Sequence, residues 1–336
     1  MYIYKDILQS RIIMMNKRIY VMNKNKEIIH TLLLVLAALI WGCAFTAQTI
    51  GAEYVGPYTF LAIRTWIGFA ALLPLLIIRY KFTLRDRRER NIISDNRTVF
   101  GEKKDIIVSG FLCGFFIFAA SAAQQIGIMY TTTAKAGFIT TMYVVIVPIL
   151  YVFTGKKIAK KIWGCVFLSV IGLYLLCMSE SLKLGFGDSI VLLCAFLFSL
   201  QIMCVNKYVD RVDAVLLTCM QFLVEAIFAT ICMLIFETVS VEGLLAAMPS
   251  ILYAGFLSSG VGYTLQSVAQ KGLNPTIASI AMSLESVFSA LCGFIVLGQA
   301  LNSRELMGCI IMFAAIIISQ LPDKQDISDK ILNEED

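Results

Sequence analysis

Long apolar stretches broken by short polar loops set the pattern of this chain. They read as Glu27–Gln48, Gly56–Ile78, Asp105–Gly127, Thr132–Thr154 and Ile158–Met178 in the first half. In the second half they read as Gly187–Tyr208, Asp213–Phe236, Ala247–Gln270, Asn274–Leu297 and Ser303–Leu321. Each is close to the ~20 apolar residues that a helix needs to cross a bilayer. The pattern therefore predicts an all-α integral membrane protein with ten transmembrane helices.

The loops divide the ten into five and five. Spans three and four join through a minimal turn at Met129–Thr133, and spans eight and nine through one at Lys271–Asn274. The last spans of the two halves share a register, Ile162-Trp-Gly-Cys against Leu306-Met-Gly-Cys. Arg64 in span two and Gln221 in span seven fall at comparable depth. Residues 27–178 thus read as one repeat and 187–321 as a second, flanked by tails at 1–26 and 322–336. An odd number of spans per copy turns the second copy over, giving a 5+5 inverted-topology repeat. Opposed copies around a midplane site are a common construction for secondary transporters.

Composition agrees. The 336 residues are 59% hydrophobic and 15% charged, against about a quarter charged in soluble domains. Charge also orients the chain, because cytoplasmic loops collect Lys and Arg. With the N-terminus inside, 24 of the 28 basic residues fall in the cytoplasmic tails and loops. Lys183 and Arg304 fall outside, and Arg64 and Lys135 lie within spans. Both termini are expected in the cytoplasm, with the protein in the plasma membrane. The basic run Lys81–Lys104 lacks interleaved aromatics, so it reads as a topology signal facing lipid headgroups and not as a nucleic-acid site. The tail has no signal-peptide pattern, and Met15 and Met22 each read as a plausible translation start.

The ten cysteines lie inside spans without a C-x-x-C pair, and His30 is the one histidine. Unpaired, packing thiols are expected, with no disulfide, metal or cofactor site.

Ionisable groups within hydrocarbon cost about 2.5–3.5 kcal/mol each on insertion scales. Four stand inside spans: Arg64, Lys135, Glu225 and Glu285. Arg64 lies roughly 12 Å down its helix at 1.5 Å per residue. It suits either a bidentate hold on a carboxylate or phosphate or a structural ion pair with Glu285 or Glu225. Glu285 and Glu225 suit proton coupling or that same ion pair. Lys135, one turn into span four, reads as snorkelling to the interface. Gln124, Gln125, Thr140, Thr141, Tyr143, Gln201 and Gln221 are polar enough to line a cavity or to bridge helices. Trp41 and Trp66 are candidates for its apolar wall, and Gly110-x-x-x-Gly114 and the Gly255/Gly260/Gly262 cluster for close helix packing. Pro57, Pro249 and Pro275 read as span starts. Pro148, inside span four, predicts a kink and a candidate hinge.

The segments Trp41-Gly-Cys-Ala-Phe-Thr-Ala-Gln48, Gly56-Pro-Tyr-Thr-Phe-Leu-Ala-Ile-Arg64 and Thr132 to Pro148 resemble EamA-type members of the drug/metabolite transporter superfamily. So do Ser283-Leu-Glu-Ser-Val-Phe288 and Leu297-Gly-Gln299. The resemblance covers roughly residues 30–320. Two departures stand out: Ser286 where the family usually has proline after glutamate, and Gln299 where it usually has glutamate. Ser286 removes the expected kink partner of Pro148. The resemblance implies a central cavity from spans one to four and six to nine, with spans five and ten peripheral. It implies alternating-access transport of a small metabolite, an amino acid or an amphipathic compound, commonly outward, among membrane lipid and with proton coupling as one option. An uncoupled facilitator and an intramembrane enzyme are the alternatives. No nucleotide-binding loop is present for ATP drive, and no nucleic-acid partner is expected.

Overall fold

The fold was obtained as a computed structural model, which describes residues 2–89, 101–131, 133–177, 185–297 and 302–321. Side chains are described within these limits from residue 24 on, apart from 84–89, 133–135, 177, 293, 296 and 297. The basic stretch 90–100, Gln299, the candidate starts' side chains and the tail 322–336 lie outside the described residues.

The described chain is helical. Span one completes the helix Tyr2–Gly51, followed by span two (Pro57–Glu89) and span three (Lys103–Ile128). Span four is two helices, Thr133–Thr140 and Tyr143–Phe153, and span five is Lys160–Cys177. Span six is Phe186–Tyr208 and span seven Ala214–Phe236. Span eight is Val241–Leu252, a π-helical stretch Tyr253–Gly262, and Tyr263–Gln270. Span nine is again two helices, Pro275–Met282 and Glu285–Leu297, and span ten is Ser303–Gln320. Among the described residues nine stretches are long and apolar enough to cross a membrane, and span five is the additional helix. Large apolar side chains such as Phe153, Phe236 and Ile295 face outward, as lipid-facing surfaces require and water-facing ones discourage.

Local chemistry fixes where the helices begin. Asp213 caps span seven by accepting from the Val215 and Leu216 amides at 3.0 and 3.2 Å. Asn274 accepts from the Thr276 amide at 2.8 Å, with Pro275 in the first turn, where its missing N–H costs nothing. Asn302 and Glu305 exchange side-chain bonds to each other's amides, closing a capping box at span ten. Pro249 departs from expectation: span eight begins at Val241, so this proline lies inside its first helix. The π-helical stretch follows it.

The packing repeats itself. Span one lies on spans eight and nine, and span six lies on spans three and four. Span two packs on span eight as span seven packs on span three. The pairs two–seven, four–nine and five–ten straddle the axis that relates the halves. Every one of these contacts maps onto another, or onto itself, when five is added to the span number. That is the inverted repeat, legible in the contacts themselves.

Glycines sit where these helices approach most closely. A Cβ on Gly114 would stand 2.8 Å from the Gln221 carbonyl oxygen, and one on Gly255 would stand 2.7 Å from that of Arg64. Spans five and ten cross at Gly172 and Gly308, whose Cβ positions fall 2.9 and 2.6 Å from each other's carbonyl oxygens. Gly164, matched to Gly308 by sequence register, meets nothing within 4 Å. The register match is therefore not a packing equivalence.

The cysteines also correct an expectation. Cys43 and Cys292 are joined in a disulfide between spans one and nine, with Cα atoms 5.7 Å apart. The 249-residue separation hid this pair. Gly42 brings the two backbones together: its Cβ position lies 2.7 Å from the Glu285 carbonyl oxygen.

Candidate functional site

Spans four and nine are both interrupted, at Thr141–Met142 and Ser283–Leu284. At each interruption the backbone switches to the tighter three-residue spacing. Val144 donates to the Thr141 carbonyl, and Ser286 to the Ser283 carbonyl. Pro148 lies beyond the first break, inside Tyr143–Phe153, so it does not cause that break. Nor does the second break need a proline, because span nine is interrupted with Ser286 in place. The expected loss of a kink partner is corrected on both counts.

The breaks meet. Tyr143, first in its helix, donates its hydroxyl to Glu285 Oε1 at 3.1 Å, and Glu285 is first in its own helix. Beside them the Ser286 hydroxyl lies 3.2 Å from both the Gly137 carbonyl oxygen and Thr141 Oγ1. Paired broken helices near the midplane are how many transporters expose polar groups to a bound solute.

Next to this junction a cavity offers about 40 Å³ of room for the centres of water-sized spheres. One water needs roughly 10–15 Å³ on that measure, so the space takes a few waters or a very small solute. Its wall comes from Trp41, Ala44, Phe45 and Gln48 of span one, Arg64 of span two and Gln124 of span three. Thr140 and Tyr143 of span four, and Phe198, Gln201 and Ile202 of span six, continue it. Ser258, Tyr263 and Gln266 of span eight, with Met282 and Glu285 of span nine, complete it. Spans five and ten contribute nothing to it, as peripheral helices would not.

The structure brings together Trp41, Arg64, Gln124, Thr140, Tyr143, Gln201 and Glu285 from the sequence-derived set. Gln124 donates to Thr140 at 3.3 Å. Gln266 donates to Gln201, and Gln201 to Gln221, each at 3.2 Å, so three spans share a ladder of buried amides. Gln221 ends that ladder behind the wall. Glu225, one turn further along span seven, is likewise buried outside the lining. Span seven therefore contributes no wall residue, against expectation. Gly110 and Gly114 let span three close over that face of span seven. Gln125 is also behind the wall, donating to the Gln48 carbonyl at 3.4 Å. Thr141 bonds back to its own helix. Trp66 points away, its indole bonded to Thr230 at 3.0 Å, and walls nothing. The Lys135 side chain lies outside the described residues.

Several wall residues were not singled out from sequence. Among them is Tyr263, whose ring is tilted against Trp41 at 4.8 Å and meets Phe222 edge-on at 5.5 Å. Trp41 in turn donates to the Ser258 carbonyl at 3.3 Å, inside the π-helical stretch. A π-helix is often found at functional sites, but no sequence signal marked it. Gln266 had a weak signal: it is an amide inside an apolar span.

The three buried charges are not one ion pair. Arg64 is 4% exposed, and neither Glu225 nor Glu285 lies within 4.0 Å of its guanidinium. Its Nε has no hydrogen-bond partner, and its guanidinium carbon lies 6.0 Å from the centre of the Phe60 ring. Both structural pairings expected from the sequence are therefore absent.

Apolar outer faces, two inverted five-helix repeats and a polar cavity between them define a multi-pass membrane protein. The family follows from comparison: the EamA-like transporter family model matches residues 28–178 and again 185–320. The chain belongs to the EamA-like transporter family. An Archaeoglobus fulgidus protein described as an uncharacterized transporter is 28% identical over 293 residues, covering 86% of this chain and 84% of its own. The uncharacterized transporter YoaV of Bacillus subtilis is 21% identical, covering 85% and 94%. A solved crystal structure superposes with a TM-score of 0.69 at 16% identity, covering 86% of this chain and 96% of its own, so the two share a fold.

Proposed function

We propose that this membrane transporter is a secondary carrier working by alternating access, and that the cavity between its repeats receives a small solute with an anionic group. Arg64 is the observation that carries this reading. A guanidinium that is buried, aimed at a cavity and left without a carboxylate is costly unless something else takes its hydrogen bonds. A carboxylate or phosphate satisfies two of them at once. Glu285, held by Tyr143 where the two broken helices meet, would sense movement of spans four and nine against each other. Gln124, Thr140, Gln201 and Gln266 offer hydrogen bonds to the rest of the solute, and Trp41 and Tyr263 an apolar face.

The basic loops support both termini in the cytoplasm; residues 27–178 and 187–321 are then the repeats, and membership of a transporter family is what favours export across the plasma membrane. The test is solute counterflow in proteoliposomes, screened over amino acids, nucleobases and sugars. Arg64→Ala is expected to abolish counterflow of anionic or zwitterionic solutes while leaving expression intact. Undiminished counterflow in that variant would overturn the role of Arg64.

A further inference from the structure

Glu225 has no role in the cavity wall, yet its carboxylate is buried to 1% exposure with Oε2 lacking a hydrogen bond. The buried Ser121 hydroxyl of span three is the side chain that reaches this carboxylate, and it has no other hydrogen-bond partner. On span two the charge that reaches Glu225 is Arg64, across a gap longer than an ion pair. On span eight the titratable neighbour is Tyr263, which also faces Arg64 and Glu285. Arg64 thus stands between two places for negative charge: the cavity in front, and Glu225 behind.

We propose that Arg64 and Glu225 form a displaceable charge pair that couples one proton to each anion bound; this rests on Arg64 being the anion's receptor. In the empty carrier, guanidinium and carboxylate offset each other through the protein interior. When an anion enters and engages Arg64, Glu225 loses its counter-charge. A lone buried carboxylate is costly enough that it neutralises instead. One proton from water then binds Glu225 Oε2, and the new O–H donates to Ser121 Oγ, giving both orphaned atoms a partner. The sum over Arg64, Glu225 and the anion is zero before and after. The loaded carrier therefore changes conformation without a larger buried charge than the empty one. Glu285 takes no part in this exchange: its hydrogen bond comes from Tyr143.

Infrared difference spectroscopy of the protein in lipid vesicles at neutral pH tests this, because the carbonyl stretch reports protonated carboxyl groups. Isotope-labelled acetate serves as the anion probe. The wild type is expected to gain one protonated carboxyl on adding acetate, Glu225→Gln to lose that gain, and Glu285→Gln to keep it. Arg64→Met is expected to show the same band without acetate, Arg64→Lys to resemble the wild type, and Arg64→Met with Glu225→Gln to lose the band. An Arg64→Met spectrum without a Glu225-dependent band overturns the proposal, as does a band that follows Glu285. A Glu225-dependent band in Arg64→Met with no response of the wild type to acetate supports the charge pair and counts against Arg64 as a carboxylate receptor. If Arg64→Met does not elute as a monodisperse protein, the acetate response of the wild type against Glu225→Gln decides alone.

Discussion

Spans two and seven run side by side, and the ends of this pair differ from its middle. At one end the Glu237 carboxylate accepts from the Tyr58 and Thr59 amides at 2.8 Å each and from the Thr59 hydroxyl at 2.6 Å. At the other, Asp213 caps span seven and pairs with Arg79 at 2.8 Å. In the middle, Arg64 Nε, Gln221 Nε2 and Glu225 Oε2 are buried without partners. The same two helices therefore satisfy their polar groups at the edges and leave them open at the centre. Within this pair the hydrogen bonds close at the ends, where they fasten the helices, and stay open at the centre, which points to the centre as the working part. The ends should then govern stability and the middle should govern transport.

The largest expected effect breaks the middle. Arg64→Ala removes two charge-assisted hydrogen bonds to a bound anion, each worth about 1.5–3 kcal/mol. Counterflow should fall by at least about 100-fold, at roughly tenfold per 1.4 kcal/mol. The thermal midpoint of the empty protein should hold, since Glu225 takes up a proton when its counter-charge is lost. A collapse of the midpoint would make Arg64 a structural residue and erase the contrast.

The next effect breaks an end. Glu237→Ala strips span two of its N-terminal acceptor and leaves two amides open, at a cost of about 2–3 kcal/mol. The thermal midpoint should drop clearly, while counterflow per folded molecule stays near that of the wild type. A selective loss of transport without a loss of stability would show that this end, too, takes part in the cycle.

These expectations also show how far the sequence reaches. The ten spans follow from apolar length alone, and the repeat from an odd count per half. The fastenings at the ends, one ion pair and one carboxylate cap, were harder to see, because Arg79, Asp213 and Glu237 look like ordinary loop charges until the helices are paired. Arg64 and Glu285 were legible because charge inside an apolar run needs a reason. Their separation was not, since helical phase decides which side chain faces which: Gln221 bonds to Gln201 of span six, and Glu225 turns toward span three. Tyr263 and Phe198 carried no signal, because an aromatic in an apolar helix is ordinary. The breaks at Thr141–Met142 and Ser283–Leu284 contain neither glycine nor proline, so no local rule announces them. They exist where the two halves meet, which is a tertiary fact.

A smaller effect sharpens the comparison at its functional side. Tyr143→Phe keeps the ring and removes the single bond to Glu285, about 0.5–1.5 kcal/mol. Counterflow should fall about tenfold with little change in the thermal midpoint. Glu285→Gln should have the smaller effect, because the amide oxygen still accepts from Tyr143. If Tyr143→Phe is silent while Glu285→Gln is inactive, the charge matters and the link between the broken helices does not.

The smallest effect belongs to Arg79. Its side chain is 45% exposed and Asp213 keeps its two helix-capping bonds without it. A solvent-screened pair of this kind is worth about 0–1 kcal/mol, so Arg79→Ala should move the thermal midpoint by no more than that and leave counterflow unchanged. Asp213→Ala removes the cap as well as the pair, and should cost about 1 kcal/mol more. The difference between the two variants isolates the cap from the charge. If Arg79→Ala instead rivals Arg64→Ala in its loss of counterflow, the division between fastened ends and an open centre fails, and the whole length of the seam belongs to the moving parts.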